Sequence, residues 1–306
     1  MMQGQLALLE RELWEHRSIY VVPIVVAIIM TLAALTGQVS INGMEHVDIG
    51  IVGASNMPDN ARAAVLSGIM IGLSTTFVFS MWILTIFYAL DSLYAERKDR
   101  SILFWRSMPS TDLETVLSKL LTAMLVIPLV TFAMILVTHL AVLLFASVWV
   151  AARGGSGLTL IWGSVPFFDN WTATLIFVLA LPLWLSPFIG WFLFISAFTK
   201  RSPFLTAFLP IAILPMLENM LFDTAVFAEA FFVRSIKMPL FIDPGTMERL
   251  FEEGDGFALL ADAQLSLLGL MDLSGFLTNP GLWLGLIVCG LFTAAAIYVR
   301  RYRDDS

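Results

Sequence analysis

Charge is what this 306-residue chain has least of: Asp, Glu, Lys and Arg make up 13% of it, about half the usual share of a soluble domain. Hydrophobic residues reach 58% and mean hydropathy is +0.86. One water-soluble core cannot hide that much apolar surface, so membrane embedding is expected. The single cysteine, Cys289, excludes an internal disulfide framework and any multi-cysteine metal site. A net charge of -7 and a pI near 4.9 give no bulk cationic surface for nucleic acid. The three histidines, His16, His46 and His139, fall in three different environments. No His-Glu-x-x-His, no paired intramembrane aspartates and no Gly-x-x-x-x-Gly-Lys-[Ser/Thr] phosphate loop occurs. The chain itself is therefore not expected to be an enzyme or to hold a cofactor.

What is abundant is apolar sequence in long runs. Six stretches lack Asp, Glu, Lys and Arg, and each can hold a membrane-crossing helix of about 20 residues. Spans are expected at 19–36, 65–90, 120–149, 172–198, 203–222 and 281–299, within a single transmembrane domain covering 1–306. The first run follows Glu10, Glu12 and Glu15 and exceeds a signal-peptide core, so it reads as a retained helix. With the N-terminus inside, 12 of the 17 Lys and Arg fall on cytoplasmic flanks, the bias that sets orientation during insertion. Both termini are then cytoplasmic, in a cell membrane.

The connecting segments add detail. Residues 3–17 place Leu6, Leu9 and Leu13 at helical spacing, with Glu10, Arg11, Glu12 and Glu15 around the remaining surface and Trp14 at the membrane edge. That pattern predicts an amphipathic interfacial helix touching lipid; a frayed charged leader is the competing reading, and Trp14 favours the helix. The loop from Asp91 to Lys119 surrounds an apolar knot, Ile102-Leu103-Phe104-Trp105, with charge. Ser107-Met108-Pro109-Ser110 breaks it, and Thr111-Asp112-Leu113-Glu114 reads as a capping box opening a new helix. The residues support two readings equally: a projection that docks a protein partner through its aromatics, or an interfacial helix whose Phe104 and Trp105 dip into lipid. The outer-face segment 223–280 is acidic yet carries apolar patches such as Phe231-Phe232-Val233, so short helices on the outer leaflet or a small soluble cap both suit it.

Polar residues within the spans are few. Ser74, Thr75, Thr76 and Ser80 of span two, His139 of span three and Glu218 of span five are the candidate pathway residues, because ionisable and polar groups at membrane depth are costly to place there. Pro128, Pro182, Pro187, Pro210 and Pro215 are expected to bend their helices. Gly154-Gly155-Ser156-Gly157 is similar to the serine motif of rhomboid proteases, but no histidine follows it, and a flexible turn explains its glycines.

Six spans, inward termini, the helix Arg11-Glu12-Leu13-Trp14-Glu15-His16-Arg17 and the projection running from Leu93 to Pro109 together resemble the permease subunits of type-2 ATP-binding cassette (ABC) exporters. The resemblance implies that family's fold, with Asp99, Arg100, Ile102, Leu103, Phe104, Trp105 and Arg106 forming a coupling helix gripped by cytoplasmic ABC-type ATPase subunits, which bind the ATP. It also implies pairing with a second permease, a copy or a paralogue, in a bacterial plasma membrane. An ion-coupled secondary transporter and a non-transporting scaffold for an ATPase are the competing readings. The first should show intramembrane charges and inverted halves, and neither is clear here.

Overall fold

The computed structural model describes residues 2–35, 59–99, 111–152, 154–241 and 266–302. Among these there is no β-strand, and the elements are helices. We number them α1 Met2–Glu15, α2 Ser18–Leu35, α3 Asp59–Lys98, α4 Asp112–Leu121, α5 Ile127–Ala152, α6 Phe167–Trp184, α7 Ser186–Phe198, α8 Pro203–Phe222, α9 Val226–Ile236, α10 Leu273–Thr278 and α11 Pro280–Tyr302. Among the described residues, six helical segments are long and apolar enough to cross a membrane, and each overlaps one of the charge-free runs. The chain is an all-α protein with the character of a multi-pass membrane protein.

Two segments are longer than a bilayer requires. α3 has 40 residues, and the continuous segment Asp112–Ala152 has 41; each is about 60 Å long at 1.5 Å per residue, twice the hydrocarbon thickness. The charged portions Asp91–Lys98 and Asp112–Lys119 lie where the apolar runs end, beside the stretch 100–110. The start of α4 is built as the sequence predicts. Thr111 Oγ1 accepts the Glu114 amide at 3.2 Å and the Glu114 carboxylate accepts the Thr111 amide at 2.9 Å. Thr111→Ala should cost about 1 kcal/mol, read as a lowered thermal midpoint of the purified protein.

Prolines shape the spans in ways that periodicity alone does not reveal. α4 passes into α5 through a π-helical stretch, Thr122–Val126, in which the Ile127 amide reaches back to the Thr122 carbonyl. Pro128 follows and has no N–H to offer. The fourth span, expected as one helix over 172–198, is two: α6 stops at Trp184, Leu185 leaves helical geometry, and Pro187 sits in the first turn of α7. The Phe188 amide turns to the Leu185 carbonyl instead of that of Trp184. Arg234 of α9 takes over the freed Trp184 carbonyl through Nε at 3.0 Å and holds the Gly281 carbonyl of α11 through Nη1 at 2.8 Å. Its guanidinium also lies over the Trp184 ring, and Gly285 leaves room for it, since a Cβ there would collide with Arg234 Nη2. A helix from the segment between α8 and α11 thereby pins the break.

The main core is built where α2, α3, α5 and α7 meet, around Phe77, Met81, Ile127, Ile135 and Ile189. α7 lies along α11, whose buried face reads Leu282, Gly285, Cys289, Thr293, Ala296, Arg300, a helical stripe of mostly small residues. Such stripes let backbones approach closely: a Cβ on Gly190 would stand 2.9 Å from the Cys289 Cα. α8 stands apart, with Ala207 its one buried residue. Gly154, at φ +86°, closes α5, and the Gly155 amide caps the Val150 carbonyl, so the Gly-rich motif is a helix terminator.

Candidate functional site

At the end of the bundle where α1 and the last turns of α11 both pack on α4, seven charged side chains from four helices, joined by Tyr88, form a largely buried ionic node. Its centre is Lys119 of α4, wholly buried, with Nζ 2.9 Å from Glu12 Oε1 and 3.1 Å from Glu96 Oε1. Arg300 of α11 donates through Nη1 to Glu96 Oε2 at 2.6 Å and through Nε to Asp112 Oδ1 at 2.9 Å. Arg11 bridges Glu96 at 3.1 Å and Glu15 at 3.0 Å. Tyr88 OH donates to Glu12 Oε2 at 2.7 Å. Glu12 and Glu96 are 1% and 5% exposed. Charges buried to that degree persist only when paired and hydrogen-bonded, and here Glu12, Glu96 and Asp112 balance Lys119, Arg300 and Arg11.

Each helix presents its member for a local reason. In α1, Leu13 packs on the core and carries Glu12 inward beside it. Glu12 is thus not on the polar outer surface that the amphipathic reading gave it. Trp14 is the exposed aromatic of α1, at 73%. In α4, Thr115, Val116, Ser118 and Lys119 form the buried face, so Lys119 lies on the packed side of its helix. Glu96 and Arg300 lie near the C-terminal ends of α3 and α11, next to the apolar cluster of Leu93, Val116, Ala197 and Ala296. The neighbouring Arg97 turns the other way, donating to the Ser196 and Thr199 carbonyls that end α7.

His16, just past α1, rests edge-on to Tyr88 with ring centroids 4.9 Å apart. Burial, then Lys119, holds its imidazole below 6.5, against the raising pull of Glu12, Asp91 and Glu15. A histidine with a lowered folded pKa takes up its proton more readily when unfolded, so stability falls as pH drops below about 6.5 and levels off beneath the folded value. The thermal midpoint should therefore decline from about pH 7.5 to 5.5, and His16→Gln should flatten that decline. Glu12, Glu15 and His16 lie close enough to share a metal ion, but Glu12 is already occupied by Lys119 and Tyr88.

Of the sequence-predicted coupling residues, Asp99 ends α3 as an exposed turn. Arg100, Ile102, Leu103, Phe104, Trp105 and Arg106 lie outside the described residues. Of the candidate pathway residues, the structure joins two: His139 Nε2 is 3.3 Å from Ser74 Oγ and 3.1 Å from the Met70 carbonyl, in a fully buried setting. Thr75, Thr76 and Ser80 spend their hydroxyls on carbonyls of their own helix. Glu218 serves at the far end of α8, accepting the Val226 and Phe227 amides at 2.8 and 2.9 Å as the cap of α9.

The node itself was not foreseen. The one signal was Lys119 at the threshold of the longest apolar run, followed by Leu120 and Leu121 with no acidic residue for the next turns. No protein-family model, curated protein or solved structure matches the chain.

Proposed function

We propose that this chain is the membrane-spanning permease subunit of an ABC exporter, acting as a dimer and driven by separate ATPase subunits that dock on the segment between α3 and α4. The observation that supports this reading is the ionic node. It ties both flanks of residues 100–110, through Glu96 on one side and Asp112 and Lys119 on the other, to α1 and to the end of the last span. A segment anchored on both sides to a rigid base transmits displacement to the bundle instead of dissipating it in a loose loop. In this reading the node end faces the cytoplasm, Asp99 to Arg106 receives the force, and conversion between inward-open and outward-open states follows ATP binding in the partner.

Two experiments test it. The chain should co-purify with an ATPase subunit and support ATP-dependent flux in sealed vesicles; an ATPase that co-purifies without any flux would make the chain a scaffold. Replacing Phe104 and Trp105 together with Ala should leave insertion and ATP hydrolysis in place while transport is lost. Undiminished transport by that double variant would remove residues 99–106 from the coupling role.

A further inference from the structure

The end of the bundle remote from the node holds a recess of about 820 Å³ between the start of α3, the turn preceding α6 and residues 266–267. That volume lies within the roughly 300–1,000 Å³ of small-molecule sites, and although carbon makes up the greater part of its exposed lining, polar side chains stand at several points around it. Asn60, Ser67, Thr159, Ser164 and Ser266 supply amide and hydroxyl groups. The charged groups are bound to one another or to backbone. Asp59 pairs with Arg62 at 3.1 Å, and Arg62 also reaches Ser164 Oγ at 3.3 Å. The Asp169 carboxylate accepts the Leu267 amide at 2.7 Å, the Leu268 amide at 3.1 Å and the Ser266 hydroxyl.

At its wall, Ser67 accepts a hydrogen bond from Asn170 Nδ2 at 3.0 Å. Asn170 is 2% exposed, and its Oδ1 is buried without a hydrogen-bond partner. An amide held there at the cost of an unmade bond fixes the Ser67 oxygen as an acceptor and leaves the Ser67 proton to be donated. Ser67 is left to donate, while Ser164 and Thr159, whose protons go to the Thr159 and Ser156 carbonyls, keep lone pairs to accept; with the charges already compensated, that combination matches a ligand carrying hydroxyls of its own.

We propose that this recess is a binding site for a neutral polyhydroxyl group, a sugar or polyol, with Ser67 and Ser164 as its principal contacts. The site goes beyond the permease reading and does not depend on it. A free sugar and the sugar headgroup of a glycolipid present the same chemistry at this end of the bundle.

The test uses the full chain in phosphatidylcholine nanodiscs, free of sugar detergents, with tryptophan fluorescence as the signal because Trp162 and Trp171 pack just behind the recess. Maltose and mannitol are titrated, and a second set of discs carries monoglucosyl diacylglycerol. A saturable response to the free compounds identifies a soluble ligand; a response confined to the glycolipid discs identifies a headgroup. Ser67→Ala, and separately Ser164→Ala, should weaken either response about five-fold, the loss of one hydrogen bond, measured at a temperature where both variants remain folded. No saturable response to any of the three, a response to choline chloride or sodium sulfate in their place, or undiminished binding by both variants would overturn the assignment. Because the assay needs no ATPase, its failure leaves the permease reading standing, and the reverse holds as well.

Discussion

Replacing Lys119 with Met should lower the unfolding free energy by about 3–5 kcal/mol, the cost of leaving a buried charge without its partner. The side chain is fully buried and its ammonium serves both Glu12 and Glu96. Glu96 would keep Arg300 and Arg11, whereas Glu12 would be left with the Tyr88 hydroxyl and with His16 at 3.8 Å. The damage is therefore predicted to fall mainly on Glu12. The double variant Lys119→Met/Glu12→Gln should recover much of the loss, because a neutral amide can keep the Tyr88 bond without a stranded charge. Denaturant titration in micelles for the wild type, both singles and the double closes the cycle. A loss for Lys119→Met of only about 0.2–1 kcal/mol, as for an exposed pair, would mean that the node is solvated, and the rigid base invoked for residues 100–110 would be gone.

The second large effect is expected at Gly190. A Cβ there meets the Cys289 Cα at 2.9 Å and the Cys289 carbonyl at 3.0 Å. Both are backbone atoms, which no rotamer change can move. Gly190→Leu must push α7 away from α11, and overpacking of this kind costs about 1–3 kcal/mol or more. Shrinking Cys289 to Gly should not rescue it, because the clashing Cα and carbonyl remain. Gly290→Leu is the control: a Cβ at Gly290 meets nothing within 4 Å. Comparable thermal midpoints for the Gly190 and Gly290 variants would show that the two helices do not approach as closely as described.

The two effects join through α11. Its small-residue face lets α7 close in at Cys289, and its last turns carry Arg300 to Glu96 and Asp112. Separating α7 from α11 should therefore loosen the node as well as the core, so Gly190→Leu and Lys119→Met are expected to be less than additive.

Particular residues show how much could be read in advance. The Thr111 to Glu114 capping box was legible because its chemistry is local: four consecutive residues carry the whole signal. The break of span four was half legible. Pro182 and Pro187 marked it, but whether a helix bends or stops depends on what satisfies the freed carbonyls, and that group, Arg234, lies 50 residues from Trp184. Ser74 and His139 were singled out as polar residues at membrane depth, while their contact across 65 residues was not foreseeable. For Glu12 the pattern misled, since a carboxylate next to Leu13 reads as surface until a buried lysine 107 residues away is known to meet it.

The sequence by itself determined the solvent and the secondary structure: scarce charge and long apolar runs require helices that satisfy their own backbone where water is absent. It placed the apolar runs, because the cost of a charge in hydrocarbon marks where each run ends, but not the division of 172–198 into α6 and α7. Tertiary structure alone decided which charges would be buried, which polar groups would meet and which helices would touch. Those outcomes depend on pairings such as Glu96 with Arg300, whose members lie 204 residues apart. A buried ion is tolerated only by a partner brought to it in space, and no local pattern along the chain encodes that partner.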